Sequence, residues 1–515
     1  MKIFDQIKIT RPKYNKFDLA HEKKISLNMG NLVPILCQEV VPGDKFKNNT
    51  EILARLAPMI APMMHRVNVY THFFFVPNRL VYDGWENFIT GGTTGQVTDV
   101  LPYIAINDNT KVLMGLSSLA DYLGVPDISQ QGAITFNDVK INALPFRAYQ
   151  KIFNEYYRDQ TLTPEVQIKK TSGALDADES LAALTLRKRA WEKDYFTSAL
   201  PWSQRGGEVL LPMEADINYK NSSDIIYSSN GLPSNTRQWL RAEADGKLET
   251  ASDELANGTA ARIENLESIE NGTTTINDLR KAIKLQEWLE RNARAGARYI
   301  EQILSHFGVR SSDARLQRPE YLGGGKQPIV VSEVLSTYGG TTAPQGNMSG
   351  HGISVGNSNY FQRTFEEHGY IIGIMSILPT TAYFQGLPRI FSKFDKFDYY
   401  WPEFAHLGEQ EILQKELTWI PNVPGNDEVF GYQSRYAEYK FNPNTVHGDF
   451  RSSLKFWHMG REFVGFQNLN EQFITSDPTE RIFAVEDPTI DKIYVQVYNN
   501  MSALRLMPYF GTPML

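Results

Sequence analysis

The sequence contains one cysteine, Cys37, among 515 residues. A single cysteine excludes an intrachain disulfide framework and is typical of a protein that folds in a reducing compartment. No base is indicated beside it in the sequence. We therefore interpret Cys37 as a small buried hydrophobic residue and not as a nucleophile.

Long apolar runs are also missing. The mean hydropathy is −0.37, and no run reaches the roughly 18 apolar residues of a transmembrane helix. The first residues, Met1-Lys-Ile-Phe-Asp-Gln-Ile-Lys, lack the long apolar segment followed by small residues that a secretory signal requires. The sequence therefore predicts neither membrane insertion nor secretion.

The net charge of −7 is modest but unevenly distributed. Residues 1–24 carry seven basic groups against three acidic ones, whereas residues 212–275 carry eleven acidic groups against five basic ones. A basic N-terminal arm can contact nucleic acid phosphates, although a solvated terminus would have the same composition. The candidate DNA-facing residues are Lys2, Lys8, Arg11, Lys13 and Lys16.

Patterns that would indicate catalysis or phosphate binding are weak. Gly352-Ile-Ser-Val-Gly356 matches the nucleophile elbow, but that elbow needs a strand before the serine and a helix after it. The flanking residues have loop composition, so a hydrolase centred on Ser354 is only an alternative. Gly323-Gly-Gly-Lys326 lacks the first glycine and the Ser or Thr of a phosphate-binding loop, and we expect a flexible turn there.

The histidines show no tight metal-ligand spacing such as H-E-x-x-H. We expect them to be hydrogen-bonded in packed loops, and we predict no catalytic residue, cofactor or metal. The histidines considered are His351, His368, His406, His447 and His458.

Strand signals are strong but far apart. In the segment 67–76, three consecutive phenylalanines, Phe73, Phe74 and Phe75, must point to both faces of a sheet, because successive side chains alternate. We expect Pro77 to end this strand. Residues 370–378 and 492–498 are also rich in β-branched and aromatic residues. Residues 25–42 read as extended segments broken at Gly30, Pro34 and Pro42-Gly43.

Two stretches predict helices. Residues 145–159 place aromatic side chains at helical spacing, and residues 276–307 carry an approximate apolar stripe. Thr275 and Asp278 match a capping box, Gly296 is a candidate kink and Gly308 a candidate stop.

Two surface segments are predicted. The acidic stretch 212–275 reads as an exposed insertion with a short helix near 260–269. The run from Phe391 to Pro402 mixes charge with aromatic rings, a composition that suits subunit interfaces but also stacking on bases or sugars. Tyr399, Tyr400 and Trp401 are therefore candidates, with Phe73 to Phe75, for the core or a subunit interface.

A family resemblance rests on motifs that occur in order along the chain. Together they resemble the major capsid protein of the Microviridae, and gokushovirus-like members above all. The motifs are Leu32-Val-Pro-Ile, Glu39-Val-Val-Pro-Gly-Asp, Thr71-His-Phe-Phe-Phe-Val-Pro-Asn-Arg-Leu, Tyr195-Phe-Thr-Ser-Ala-Leu-Pro-Trp, Asp313-Ala-Arg-Leu-Gln-Arg-Pro-Glu-Tyr-Leu-Gly-Gly-Gly, Phe365-Glu-Glu-His-Gly-Tyr, Gly408-Glu-Gln, Phe430-Gly-Tyr-Gln-Ser-Arg-Tyr-Ala-Glu-Tyr and Trp457-His-Met.

The resemblance implies a mainly β protein, an eight-stranded antiparallel jelly roll with very long loops and a few helices. It also implies a T=1 icosahedral shell around circular single-stranded DNA, assembled in the bacterial cytoplasm with a small basic internal protein. We expect a basic arm at 1–24, a core formed by 25–211 and 276–515, and an outer insertion at 212–275 that contacts a host receptor. A jelly-roll carbohydrate-binding protein, using the aromatic run as a sugar platform, is the main alternative.

Overall fold

The computed structural model describes most of the chain. The described ranges are 13–92, 100–130, 139–207, 209, 276–296, 298–335 and 348–510, together with the backbone of the strands between residues 215 and 271.

The strands in chain order are β1 Tyr14–Asp18, β2 His21–Leu27, β3 Val33–Val40, β4 Lys45–Leu56, β5 Val67–Pro77, β6 Tyr103–Ala105, β7 Lys140–Asn142, β8 Ala215–Tyr219, β9 Ile226–Ser229, β10 Gln238–Ala242, β11 Leu248–Thr250, β12 Ala261–Ile263, β13 Leu266–Asn271, β14 Glu320–Leu335, β15 Met348–Thr364, β16 Gly369–Pro379, β17 Glu409–Leu413, β18 Val429–Ser434 and β19 Ile493–Leu506.

The α-helices are short, with one exception. They are α1 Trp85–Thr90, α2 Asp108–Val112, α3 Leu119–Leu123, α4 Leu144–Ile152, α5 Ala177–Leu184, α6 Ile276–Ala295, α7 Tyr299–Phe307, α8 Gln414–Leu417 and α9 Glu471–Ile474. Among the described helices, none is both long and apolar enough to cross a membrane.

Nine strands form one antiparallel sheet in the order β1-β19-β4-β15-β14-β5-β16-β3, with β2 also paired to β19. The sheet curls until its ends approach each other. The Asn499 side-chain amide on β19 donates to the Ile35 carbonyl on β3 over 3.3 Å. Lys23 on β2 donates to the Pro34 carbonyl over 3.1 Å. This architecture confirms the predicted jelly roll, with nine strands in the sheet where eight were expected.

The chain divides into two compact units, Met1–Ser203 with Ala295–Leu515, and Gln204–Arg294. The second unit contains a four-stranded sheet, β11-β10-β9-β12, and the pair β13-β8. The helix predicted near 260–269 is wrong, because residues 261–263 and 266–271 form strands paired with β9 and β8. Strand pairing here overrides local helix preference.

Strand β5 is buried on both faces, as the three phenylalanines predict. Phe73, Phe74 and Phe75 are 0%, 2% and 3% exposed. Phe73 and Phe75 point into the curled sheet, where their rings meet Phe361 and Phe365 at centroid distances of 5.1 and 4.6 Å. The strand ends at Pro77, in agreement with the sequence.

The outer face of β5 is covered by loops and helices of the same chain. Phe74 belongs to a separate hydrophobic core built largely from residues 81–184. Its ring lies 4.6 Å from that of Tyr156 and 5.6 Å from that of Tyr321. Tyr156 lies in a π-helical turn, Phe153–Tyr157, that continues α4, so the helix predicted at 145–159 is confirmed.

Buried polar contacts hold this cover in place. Arg147 on α4 pairs with Glu179 on α5 at 2.6 Å and also donates to the carbonyls of Val81 and Thr171. The Tyr149 hydroxyl donates to the Leu32 carbonyl over 2.8 Å, which connects α4 to the segment before β3. The ion pair therefore has additional hydrogen bonds to compensate for its burial.

Next to Phe74 on the outer face lies His72. Its Nδ1 is 2.9 Å from the Tyr157 hydroxyl, and its ring also neighbours that of Tyr321. Burial among these rings lowers the pKa of His72 to about 4, with a smaller contribution from the Arg189 charge. His72 is therefore a neutral packing residue at neutral pH.

Two loop assignments and one strand break predicted from the sequence are wrong, because all three positions lie within strands. Gly323 to Lys326 form part of β14, paired with β5, and a Cβ at Gly324 would come within 2.1 Å of the Thr71 carbonyl oxygen. The described residues that flank Gly352 to Gly356, which have loop composition, lie with them in β15. Pro34 lies inside β3, at the edge of the sheet and beside a register shift, where a missing amide proton is tolerated.

The long predicted helix at 276–307 is two helices. Gly296, with φ of +93°, separates α6 from α7, and Gly308, with φ of +68°, ends α7. The predicted irregularity at Gly296 and the predicted helix end at Gly308 are thus confirmed. At Gly296 the helix ends completely and does not merely kink. Thr275 of the predicted capping box lies outside the described residues.

We expect Phe74→Ala to lower the free energy of unfolding by about 3–5 kcal/mol, because it leaves a cavity between β5 and its cover. Phe74→Leu keeps most of the volume and should cost less than about 1.5 kcal/mol. Denaturant unfolding of the purified protein measures both. Phe394→Ala is the matched control, since Phe394 is 92% exposed. An unfolding midpoint that Phe74→Ala leaves unchanged would contradict two-sided burial.

Candidate assembly surfaces

Residues 389–404, which we call the aromatic lobe, form three single-turn 3₁₀ helices, Arg389–Ser392, Lys396–Asp398 and Pro402–Phe404. Proline residues precede or begin two of these turns. The apolar side chains of the lobe are largely in solvent. The exposed members are Ile390, Phe391, Phe394, Phe397, Tyr399, Tyr400 and Trp401.

Local hydrogen bonds fix the conformation of the lobe. The Asp398 carboxylate accepts from the backbone amides of Phe394 at 2.9 Å and Asp395 at 2.8 Å, and these bonds lower the pKa of Asp398. The Trp401 indole donates to the Lys396 carbonyl over 2.9 Å. The exposed rings therefore project from an ordered turn and would lose little conformational entropy on binding.

A buried polar cluster anchors the lobe to the rest of the chain. Lys393 pairs with Glu438 at 2.9 Å, with both side chains less than a tenth exposed. Gln410 on β17 donates to the same carboxylate over 2.7 Å. Burial would raise the pKa of Glu438, but the hydrogen bonds from Gln410 and Lys393 outweigh it and lower the pKa. Glu438 is thus ionised and fully engaged.

A second anchor involves Glu416 on α8. Its carboxylate accepts from the Tyr195 hydroxyl at 2.8 Å and pairs with Arg389 at 3.1 Å. Burial raises the pKa of Glu416, against the opposing effect of the Arg389 charge. Together the two anchors hold the first turn of the lobe against α8, β17 and the turn after β18.

The structure separates the two groups of aromatic candidates. Phe73, Phe74 and Phe75 lie in the core of their own chain. Tyr399, Tyr400 and Trp401 are each about half exposed and lie on the surface. Tyr400 packs edge-on against Tyr436 at a centroid distance of 5.0 Å, so only part of its ring is available to a partner.

Ser354 has the environment of a structural serine. It is 2% exposed and lies within β15, opposite Ala54 of β4. Its hydroxyl donates to the Pro328 carbonyl over 2.8 Å and accepts from the Gln327 amide at 2.9 Å. These contacts tie β15 to β14 and leave the hydroxyl inside the sheet, unlike an exposed nucleophile elbow.

His458 makes internal packing contacts, whereas His447 is exposed and hydrogen-bonds to Thr445, and His351 lies in β15 and not in a loop. His458 Nε2 donates to the Phe450 carbonyl over 2.7 Å, and His458 Nδ1 accepts from the Gly460 amide at 2.9 Å. Burial lowers the pKa of His458. Within the described ranges, no cluster of three or more His, Cys, Asp or Glu side chains has a geometry that could hold a metal.

Cys37 lies on β3 and is partly buried. Burial raises the pKa of its thiol to about 11, so the thiol is protonated at neutral pH. A protonated thiol is a poor nucleophile, which is consistent with a packing role.

Two of the five candidate DNA-facing residues lie in the described part of the chain. Lys2, Lys8 and Arg11 lie outside the described residues. Lys13 and Lys16 are exposed, and Lys16 lies on β1, opposite Leu504 of β19. Within the predicted arm, residues 14–18 and 21–24 therefore belong to strands of the large sheet.

Comparison with known proteins places the chain in a family. It matches the family model described as capsid protein (F protein) over residues 5–515. It is 35% identical over 538 residues to capsid protein VP1 of Bdellovibrio phage phiMH2K, covering 99% of this chain and 97% of that protein.

The chain is also similar to two further capsid proteins. The chain is 33% identical over 591 residues to capsid protein VP1 of Chlamydia phage 1, covering 99% of this chain and 97% of the relative. It is 31% identical over 534 residues to capsid protein VP1 of Spiroplasma virus 4, covering 97% and 95%. The resemblance found in the sequence motifs is confirmed, and the chain belongs to the phage F capsid protein family, with the structural role of a virion capsid protein.

Proposed function

We propose that copies of this chain assemble into a T=1 icosahedral shell around circular single-stranded DNA, and that the aromatic lobe forms part of the contact between subunits. The observation that supports this interface is the exposed set of aromatic rings between Ile390 and Trp401. Aromatic side chains are enriched at interfaces, and large exposed apolar patches mark interaction sites.

In a closed shell, each weak contact between subunits is repeated many times by the symmetry. Each copy presents the same surface under the symmetry, so a lobe that contributes a few kcal/mol per contact stabilises the whole assembly. The buried anchors at Glu438 and Glu416 support this role, because they hold Lys393 and Arg389, and with them the first turn of the lobe, in place before binding. A lobe whose rings were merely solvated would not need such a fixed base.

The DNA contact of this proposal is directed at phosphates. The basic residues of 1–24 contribute to it, and the interaction is salt-sensitive and nearly independent of base sequence. The chain as a whole carries a net charge of −7, so it is not the main neutraliser of the genome. A separate small basic internal protein would supply that charge, and assembly would take place in the bacterial cytoplasm.

The remaining surface assignment concerns the acidic stretch 212–275. We assign it to the outside of the shell, as a protrusion that contacts a host receptor. It lies within the compact unit Gln204–Arg294, which extends beyond the predicted insertion at both ends. A unit with its own sheets can be displayed on a core without taking part in the core's folding.

The role proposed is structural, without catalysis, cofactor or metal. The contacts of Ser354 support the non-catalytic assignment, since its hydroxyl is engaged inside the sheet. The exposed rings of the lobe would also suit a sugar platform, so carbohydrate binding remains the second candidate. It differs from the capsid proposal by predicting glycan binding without a shell.

We expect the full-length protein to form uniform icosahedral particles by electron microscopy, alone or with its partner virion proteins. Phe391→Ser with Phe394→Ser should abolish or strongly reduce particle formation while shifting the unfolding midpoint only slightly, because these rings are 63% and 92% exposed within one chain. Leu116→Ser is the control, since Leu116 is 78% exposed but outside the lobe.

Two outcomes would overturn that assignment. A wild-type protein that stays a small oligomer under every condition, co-expression included, would contradict the shell itself. Particles that form normally from the double variant would remove the lobe from the interface. Glycan binding that the double variant loses while particles still form would favour the sugar platform.

Deleting residues 212–275 and closing the gap with a short Gly/Ser linker should spare folding and shell formation but impair attachment to host cells. The reason is that the receptor contact lies on the displayed insertion and the core strands lie elsewhere in the chain. Thermal unfolding, electron microscopy and an adsorption assay measure the three properties. A deletion that unfolds the core, or that attaches like the wild type, would show that the insertion is misassigned.

A further inference from the structure

One face of the large sheet, on strands β1, β19, β4 and β15, lies in solvent. On β4 the side chains alternate strictly, with Lys45, Lys47 and Arg55 outward and Phe46 inward. In an antiparallel sheet, directly opposed residues share a face. The outward positions of the neighbouring strands can therefore be read from the register.

At one end of this face, lysines converge from two strands. Lys16 on β1 and Lys45 on β4 both lie opposite Leu504 of β19, one on each side of it. Lys47 lies opposite Gln362 of β15, two positions from Tyr360 on the same face. We call Lys16, Lys45, Lys47, Tyr14 and Tyr360 the basic corner.

Each of the two β4 lysines lies near an exposed ring. Lys45 Nζ is 5.6 Å from the centroid of Tyr14, and Lys47 Nζ is 6.0 Å from that of Tyr360. The two tyrosines are 44% and 46% exposed, so each ring lies partly in solvent. The corner thus combines positive charge with available π-faces.

The charges of the corner are not neutralised by neighbouring carboxylates. Among the described residues, Lys16, Lys45 and Lys47 have no carboxylate within ion-pair distance, whereas Lys151, Lys188 and Lys193 each have one. Among the described residues of these strands, Asp18 at the end of β1 and Glu51 further along β4 are exposed acids, and Glu22 of the adjoining β2 lies opposite Tyr498, as Glu51 does. Asp18 accepts a hydrogen bond from the Ala20 amide.

We propose that the basic corner is a contact site for the packaged single-stranded DNA, with the lysines on phosphates and Tyr14 and Tyr360 stacking on bases. This rests on the proposed function and adds Lys45, Lys47, Tyr14 and Tyr360 to the arm residues. Single-strand sites combine a positive surface with aromatic rings on which successive bases stack. Charge complementarity selects a polyanion, and the exposed rings select unpaired bases.

The test measures binding of an oligothymidylate to full-length, unassembled protein at several salt concentrations. Lys45→Gln with Lys47→Gln should reduce the slope of log K against log salt by about 1.4, because each single-strand phosphate contact contributes about 0.7. Tyr14→Leu with Tyr360→Leu should weaken binding by roughly thirty-fold or more, because two stacking contacts are lost, and leave the slope nearly unchanged. Lys281→Gln with Lys284→Gln removes two exposed lysines from α6 and is the charge control.

An unchanged slope in the Lys45/Lys47 variant, or an equal change in the control, would overturn the proposal. So would a variant that binds DNA normally but fails to assemble, since that result assigns the corner to a neighbouring subunit. The DNA content of purified particles separates this inference from the proposed function. Wild-type particles without DNA would contradict the proposal that the shell encloses DNA. DNA-filled wild-type particles, together with an unchanged salt slope for the Lys45/Lys47 variant, would contradict only the proposal for the basic corner.

Discussion

The two-sided burial of β5 is the constraint on which the rest of the structure depends. Three consecutive phenylalanines send large rings to opposite faces, and each buried ring contributes roughly 1.5–3 kcal/mol. The inner face is satisfied by the curled sheet, where Phe73 and Phe75 meet Phe361 and Phe365. The outer face needs a second core, and the helices between β5 and β8 supply it, fixed by the Arg147–Glu179 pair.

This internal cover leaves other surfaces for association. Because Phe74 is covered by its own chain, β5 does not need a neighbouring subunit for its stability. The exposed rings of the aromatic lobe and the lysines of the basic corner are the two described surfaces that we propose bind partners. The lobe presents a cluster of exposed aromatic rings, as protein contacts favour, whereas the corner is positively charged and carries isolated rings, as single-stranded nucleic acid favours.

The sequence predicted the elements whose signals are local. The strands at 67–76 and 370–378, the breaks at Gly296 and Gly308, and the helix at 145–159 follow from side-chain alternation, spacing and glycine. Predictions based on glycine and proline were wrong where pairing between strands that are distant in the sequence determines the structure. Gly323 to Lys326 resemble a turn, yet they pair with β5, where a side chain at Gly324 would collide with the Thr71 carbonyl. The basic corner could not be predicted from the sequence, because Lys45 and Lys16 are brought together only by the pairing of their strands with β19.

A density map of the assembled particle, resolved to side chains, tests the central claim most directly. The account predicts that Phe74 contacts Tyr156 and Tyr321 of its own chain, and that the rings of the aromatic lobe are buried against a neighbouring copy. A map in which a neighbouring subunit covers the outer face of β5, while Tyr399 and Trp401 remain in solvent, would contradict it.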